Sequence, residues 1–221
     1  MADYSKSDHW SQKAQKEGYP ARSVYKLKEM DEKFGLVKSA RSPFRALDLG
    51  AAPGSWSLYL LRKIPLKTGS LKVSALETGG TEPAAPTLVS VDLAPLSRQF
   101  DGGLFDRPDF LFLRGDFTSG EIREAVVSHG PYNLIISDAA PSTTGNRSVD
   151  TFRSLDLAEA ALHYAKTTLA KGGNLVIKVF QGGDTGKLLK VIRGLFETGK
   201  SFKPQACRAE SFETYYLGLG R

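Results

Sequence analysis

Three features of the sequence predict a doubly wound α/β fold around a mostly parallel sheet. Apolar runs of strand length recur along the chain, and segments with helical spacing lie between several of them. A glycine or a carboxylate stands at the end of one run after another. Alternation of this kind builds parallel βαβ units, whose strand ends line one crevice.

Residues 7–17 and Arg22–Phe34 read as helices; in the second, Val24, Leu27, Met30 and Phe34 recur at helical spacing. Phe44–Leu49 is a short apolar run that carries Asp48 and meets Gly50, and a helical stretch follows from about Ser55 to Lys63. Thr87–Val91, Phe110–Leu113, Leu134–Ser137 and Asn174–Val179 read as further strands, the last two separated by a long helix over about Val149–Ala170. Arg208–Leu217 reads as a final strand, with a shorter one near Phe202–Cys207. The short connection between them predicts an antiparallel hairpin at the sheet edge. Residues 65–87, rich in Gly, Pro, Ser and Thr, exceed what a tight connection needs and read as a loop insertion. The chain, 1–221, is expected to form one domain with a basic helical extension over about 1–43.

The net charge of +6 is unevenly spread: residues 1–45 and 187–221 each carry +4, and 46–186 carries −2. If the two ends meet, they make one positive surface suited to a polyanion. A single cysteine, Cys207, excludes an internal disulfide. His9, His129 and His163 lie far apart without ligand spacing, so no metal site is expected. No apolar run approaches the about 20 residues of a membrane span, and MADYSKSDHW lacks the apolar stretch of a secretory signal. A cytoplasmic, monomeric protein is expected, in which the sequon at Asn146 is a coincidence.

Asp48-Leu49-Gly50-Ala51-Ala52-Pro53-Gly54-Ser55-Trp56-Ser57 follows the first strand and opens a helix. Gly50 and Gly54 are expected to let backbone pass close to a ligand. The turn is neither the dinucleotide fingerprint nor a P-loop. Asp92 ends the second strand, where a carboxylate can accept bonds from ribose hydroxyls, and Asp116 follows the third, where it could accept from an adenine amino group. Either acid alone would read as a cap or turn residue; in order with the glycine turn, they point to a nucleoside-bearing cofactor.

These residues resemble the FtsJ-like family of RNA ribose 2′-O-methyltransferases. The resemblance runs through A-Q-K-E-G-Y-P-A-R-S-V-Y-K-L (14–27), D-L-G-A-A-P-G-S-W-S (48–57), S-D-A-A-P-S-T-T-G-N (137–146), L-V-I-K-V-F-Q-G (175–182) and R-A-E-S-F-E-T-Y (208–215). It implies a Rossmann-like fold with a seven-stranded sheet, S-adenosylmethionine as cofactor, and a Lys-Asp-Lys-Glu tetrad falling on Lys26, Asp138, Lys178 and Glu213. Cofactor contacts would fall on Gly50, Ala52, Pro53, Gly54, Trp56, Asp92, Asp116 and Asp138. The implied substrate is a uridine of 23S ribosomal RNA within the large ribosomal subunit or its precursor; transfer RNA is the alternative, as is a non-catalytic RNA-binding module on the same fold. Three features depart from the family pattern: Ser142 where Asn is frequent, Cys207 where Ser is common, and the longer 65–87 stretch.

The chemistry is consistent with those residue types. A ribose hydroxyl is a poor nucleophile and must lose its proton as the methyl arrives, which calls for a positioned base and an orienting charge network. Lys178 interrupts an apolar strand, where an unpaired lysine is costly, and is assigned as the base or the group steering the hydroxyl. Asp138 would orient it, with Lys26 and Glu213 completing the network. Arg22, Lys28, Lys200, Lys203 and Arg208 flank Lys26 and Glu213 in sequence and are expected to contact RNA phosphates. Base-directed methylation fits less well: Asp138-Ala139-Ala140-Pro141 is not the motif of exocyclic amino methylators, and Cys207 lies in the wrong motif for a cytosine nucleophile.

Overall fold

The computed structural model describes residues 9–37, 44–64, 87–208 and 210–221. The 65–87 insertion, apart from Thr87, and the two ends of the 1–43 extension lie outside these residues. In chain order the elements are α1 (His9–Lys16), α2 (Val24–Phe34), β1 (Ala46–Leu49), α3 (Ser55–Lys63), β2 (Leu88–Asp92), β3 (Phe110–Arg114), α4 (Gly120–Ser128), β4 (Tyr132–Ser137), α5 (Arg147–Thr168), β5 (Leu169–Phe180), α6 (Thr185–Leu195), β6 (Thr198–Phe202) and β7 (Glu213–Leu219). A short 3-10 turn, Leu104–Asp106, precedes β3. Among the described residues no helix is long and apolar enough to cross a membrane.

The seven strands form one sheet in the order β3-β2-β1-β4-β5-β7-β6. All pairs are parallel except those of β7, which runs antiparallel to both β5 and β6. The chain winds outward from β1 through β2 to β3, then returns to β4 on the other side of β1. This reversal places a switch point between β1 and β4, where open α/β sheets bind ligands.

Strand alternation divides the core in two. Ala46, Leu134, Ile136, Val176, Tyr215 and Leu217 pack against α2 and α3, with Leu27, Met30, Trp56 and Leu60. Leu47, Leu49, Ile135, Leu175, Ile177, Val179 and Tyr216 face the opposite side, with Ala158, Ala161 and Leu162 of α5 and Leu188 and Ile192 of α6. Lys178 shares parity with Val176, and Glu213 with Tyr215 and Leu217, so both point to the α2 face.

Buried polar bonds lock α2 onto α3. Asp31 accepts from the Val37 amide at 2.9 Å and the Tyr59 hydroxyl at 2.7 Å, and bonds Lys63 as well. Burial would raise the Asp31 carboxyl, but these bonds outweigh it and hold it below its ordinary value. Trp56 donates its indole N–H to the Ser23 carbonyl at 2.7 Å, fixing the start of α2.

The C-terminal hairpin differs from expectation. Its strands are Thr198–Phe202 and Glu213–Leu219 rather than Phe202–Cys207 and Arg208–Leu217. Pro204 cannot donate to a ladder, and turn bonds from Cys207 N to Pro204 O and from Ser211 N to Arg208 O bend the chain between the strands. Helices α4 and α6 lay in stretches not assigned from the sequence. Asn146 is the N-cap of α5, its side chain accepting from the Ser148 and Val149 amides.

Candidate active site

A cavity of about 650 Å³ opens at the switch point. Gly50, Ala52, Asp92, Asp116 and Asp138, which follow or end four neighbouring strands, all line it, as does Leu93, 69% exposed. The Ala52 amide donates to Asp92 Oδ2 at 2.9 Å and the Ala94 amide to Oδ1 at 2.8 Å, so this carboxylate ties the β1 and β2 turns together. Asp116 Oδ1 accepts from both the amide and the hydroxyl of Thr118.

The two glycines of the turn also serve the protein's own packing. Gly50 has φ +75°, and a Cβ there would lie 2.6 Å from the Ala139 Cα; Gly54 has φ +105°, and a Cβ would lie 2.9 Å from the Phe105 ring. Gly50 thus lets the loops after β1 and β4 touch at the switch point. Pro53, Gly54 and Trp56 do not line the cavity. The Trp56 indole is buried, its ring centroid 5.9 Å from that of Tyr215. Anything Trp56 offers the crevice comes from its backbone near the helix start, where amides lack intrahelical partners.

The four residues of the tetrad meet beside this cavity. Lys26 Nζ lies 2.9 Å from Glu213 Oε1, and Lys178 Nζ lies 3.1 Å from Asp138 Oδ1. Lys178 Nζ also donates to the Asp138 backbone carbonyl. Tyr215 links the pairs: its hydroxyl donates to Asp138 Oδ1 at 2.6 Å, and Lys26 Nζ lies 5.8 Å from its ring centroid. The sequence reading missed Tyr215, although its place two residues after Glu213 on a strand puts both on one face.

Charge shapes this cluster. Burial would raise the Asp138 carboxyl, but Lys178, Lys26 and the Tyr215 hydroxyl hold it below its ordinary value. Burial would lower Lys26, but Asp138 and Glu213 overcome it and raise the ammonium's pKa. Lys26 is therefore a fixed positive charge. Burial, followed by the Asp138 and Glu213 charges, pushes the Tyr215 phenol well above its usual value, so it remains a donor. Asp48, beneath the glycine turn, differs: burial raises it to about 7, against the Ser57 hydroxyl bond at 2.7 Å and with help from Asp138 and Asp92.

A second cavity, of about 500 Å³, lies on the other side of the tetrad, lined by Arg22, Lys26, Phe180, Arg208, Phe212 and Glu213 among others. Arg22 donates to the Ala206 carbonyl at 2.5 Å, and burial and then the neighbouring Arg208 charge lower its pKa. The other three expected phosphate contacts do not line this cavity. Lys28, two residues from Lys26 on α2, pairs with Glu17 at 3.9 Å; Lys200 sits 5.8 Å from the Phe34 ring centroid; Lys203 donates to the Ser211 carbonyl at 2.6 Å. Periodicity along α2 and β6 turns Lys28 and Lys200 elsewhere, whereas Lys203 follows β6 and its ammonium group bonds Ser211 at the cavity's edge. Among the described residues no group of three or more His, Cys, Asp or Glu could hold a metal ion.

The chain is 46% identical over 216 residues to the Ribosomal RNA large subunit methyltransferase E of Treponema denticola, covering 98% of this chain and 96% of that one. It is 42% identical over 215 residues to the protein of the same name from Oleidesulfovibrio alaskensis, covering 96% and 91%. A solved Plasmodium falciparum structure, provisionally described as a ribosomal RNA methyltransferase, superposes with a TM-score of 0.64 at 22% identity, over 92% of this chain and 100% of that one, and shares its fold. A model of the FtsJ-like methyltransferase family matches residues 19–221, and the chain belongs to that family.

Proposed function

We propose that this protein transfers a methyl group from S-adenosylmethionine to a ribose 2′-hydroxyl of RNA, its substrate a uridine of 23S ribosomal RNA in the large subunit. One observation carries the reading: the tetrad bridges two cavities. Asp138 lines the cavity at the switch point, while Lys26 and Glu213 line the second. A donor and an acceptor bound on the two sides would meet at the buried ion pairs. Relatives named for ribosomal RNA methylation over almost their whole length support the substrate class.

The switch-point cavity fits the cofactor. Asp92 and Asp116 offer carboxylate oxygens to ribose hydroxyls and an adenine amino group, Leu93 offers an apolar face, and Asp138 places negative charge next to a cation. S-adenosylmethionine would supply an activated methyl on a sulfonium. Lys178, oriented by its two contacts with Asp138, would steer the attacking hydroxyl and, as the neutral amine, take up its proton to become the ammonium. Lys26, a fixed cation, stabilises negative charge developing on the oxygen and is aimed by Glu213. Tyr215 holds Asp138 in place. Residues 1–221 would act as one methyltransferase domain.

Cysteine-dependent base methylation is disfavoured by the state of Cys207, which is buried and has its thiol pushed up to about 12 by burial and then by the Glu213 charge. A thiol so protonated is a poor nucleophile. The deciding experiment incubates the protein with labelled S-adenosylmethionine and either 23S ribosomal RNA or large-subunit particles, then hydrolyses with alkali. A 2′-O-methyl group blocks cleavage of the adjacent phosphodiester, so label should appear in alkali-resistant dinucleotides. Label in mononucleotides would overturn the ribose assignment.

A further inference from the structure

The second cavity contains an aromatic wall that ribose and phosphate do not require. Phe180 and Phe212 meet edge to face with ring centroids 4.7 Å apart at 64°, and both line the cavity with Lys26 and Glu213. Phe180 is 8% exposed and braces the half-buried Phe212. The backbone is equally fixed. Phe180 pairs with Glu213 across β5 and β7, and the Phe212 carbonyl accepts from the Gln181 amide at 2.8 Å. The Arg147 guanidinium carbon lies 5.1 Å from the Phe212 centroid, so this ring already engages a π-bonding partner from an exposed side chain.

A ribonucleotide has three chemically distinct parts, and the cavity offers a match for each. Arg22 and Arg208 suit the phosphate, and the Lys26–Glu213 pair suits the ribose hydroxyl. The aromatic wall suits a flat base. A base held in a duplex stack cannot reach such a wall, whereas an unstacked one regains on an aromatic face the stacking it gave up.

We propose that Phe212, braced by Phe180, is the stacking surface for the unpaired base of the target nucleotide. The proposal rests on the reading of RNA as substrate. A base on Phe212 would replace the Arg147 contact with another π contact and leave the guanidinium for a neighbouring phosphate. Stacking is tolerant of base identity because every base has a π-face. Phe212 would therefore select an unpaired nucleotide over a paired one, rather than uridine over cytidine.

The test uses the full chain and two probes, a single-stranded uridylate dodecamer and an abasic ribose-phosphate oligomer of the same length. Wild type should bind the uridylate oligomer about tenfold more tightly than the abasic one. Phe212→Leu should bring that ratio close to one without altering affinity for the abasic oligomer, and Phe212→Trp should keep or increase it. A ratio preserved in Phe212→Leu, or absent from wild type, overturns the proposal. If Phe212→Leu does not fold, a ratio lowered by Phe212→Trp overturns it equally. Alkali-resistant dinucleotides report the ribose chemistry independently: their formation by a wild type indifferent to the base would sink the stacking role and leave methyl transfer to ribose standing.

Discussion

Lys178 and Tyr215 are cross-strand partners on β5 and β7, and both bond Asp138. An antiparallel last strand makes this possible. β7 enters the sheet beside β5 with its first residues at the C-terminal end of β5, so Glu213 and Tyr215 arrive at the parallel strands' functional edge. A parallel β7 would have delivered its end instead.

Lys178→Ala should abolish methyl transfer, lowering kcat by roughly 10²–10⁴-fold as for loss of a positioned proton-transfer group. Asp138 retains its Tyr215 bond and its proximity to Lys26. Calorimetric affinity for S-adenosylmethionine should thus stay near that of wild type. Turnover within a few-fold of wild type would remove Lys178 from the mechanism.

Tyr215→Phe deletes one buried hydrogen bond and keeps the ring. It should lower stability by about 1–3 kcal/mol, the range for leaving a buried polar group short of a partner. Weaker positioning of Asp138 should also reduce kcat with little change in the KM for RNA. Denaturant titration and steady-state kinetics read the two effects separately, and a variant indistinguishable in both would exclude the positioning role.

Asp92→Ala and Asp116→Ala should each weaken cofactor binding by about 1–3 kcal/mol. Asp92→Ala should also lower stability, because both Asp92 oxygens accept backbone bonds that hold the turns. Unchanged affinity in both variants would remove these acids from the cofactor site.

Asp48 gives the fold a pH dependence of definite sign. Its folded-state pKa of about 7 lies above the ordinary 3.8, so between those values the native state binds more protons than the unfolded state. Stability therefore falls as pH rises through this window. Its Oδ1 meets no donor among the described residues, which leaves the ionised form poorly compensated. Asp48→Asn should remove the penalty: its stability relative to wild type should increase by about 2–3 kcal/mol between pH 5 and pH 8. Parallel pH–stability curves for the two proteins would contradict this assignment.

Of the five expected phosphate contacts, Arg22 and Arg208 line the second cavity. Replacing both with Gln should weaken RNA binding and flatten the salt slope by about 0.7 for each single-strand phosphate no longer neutralised. Replacing Lys28, Lys200 and Lys203 together should change the slope less. The reverse ranking would place the RNA backbone on the α2–β6 surface.

The sequence by itself determined the succession of strands with α1, α2, α3 and α5, the family resemblance, and the motif membership of Lys26, Asp138, Lys178 and Glu213. These are local matters: apolar spacing, turn chemistry and short motifs are carried by neighbouring residues. Lys178 was legible because a charge in an apolar strand demands a partner, and the structure supplies Asp138. The hairpin register was not legible, since Pro204 and the turn bonds compete with the β-propensity around them. The pairing of Lys26 with Glu213, the linking role of Tyr215 and the aromatic wall of Phe180 and Phe212 were decided only by tertiary structure. Each needs segments far apart in sequence to meet on one sheet face, and that depends on strand order and on the antiparallel entry of β7. The same logic separates Arg22 and Arg208 from the three lysines: sequence places all five near the tetrad, but only the three-dimensional direction of a side chain brings it to the cavity.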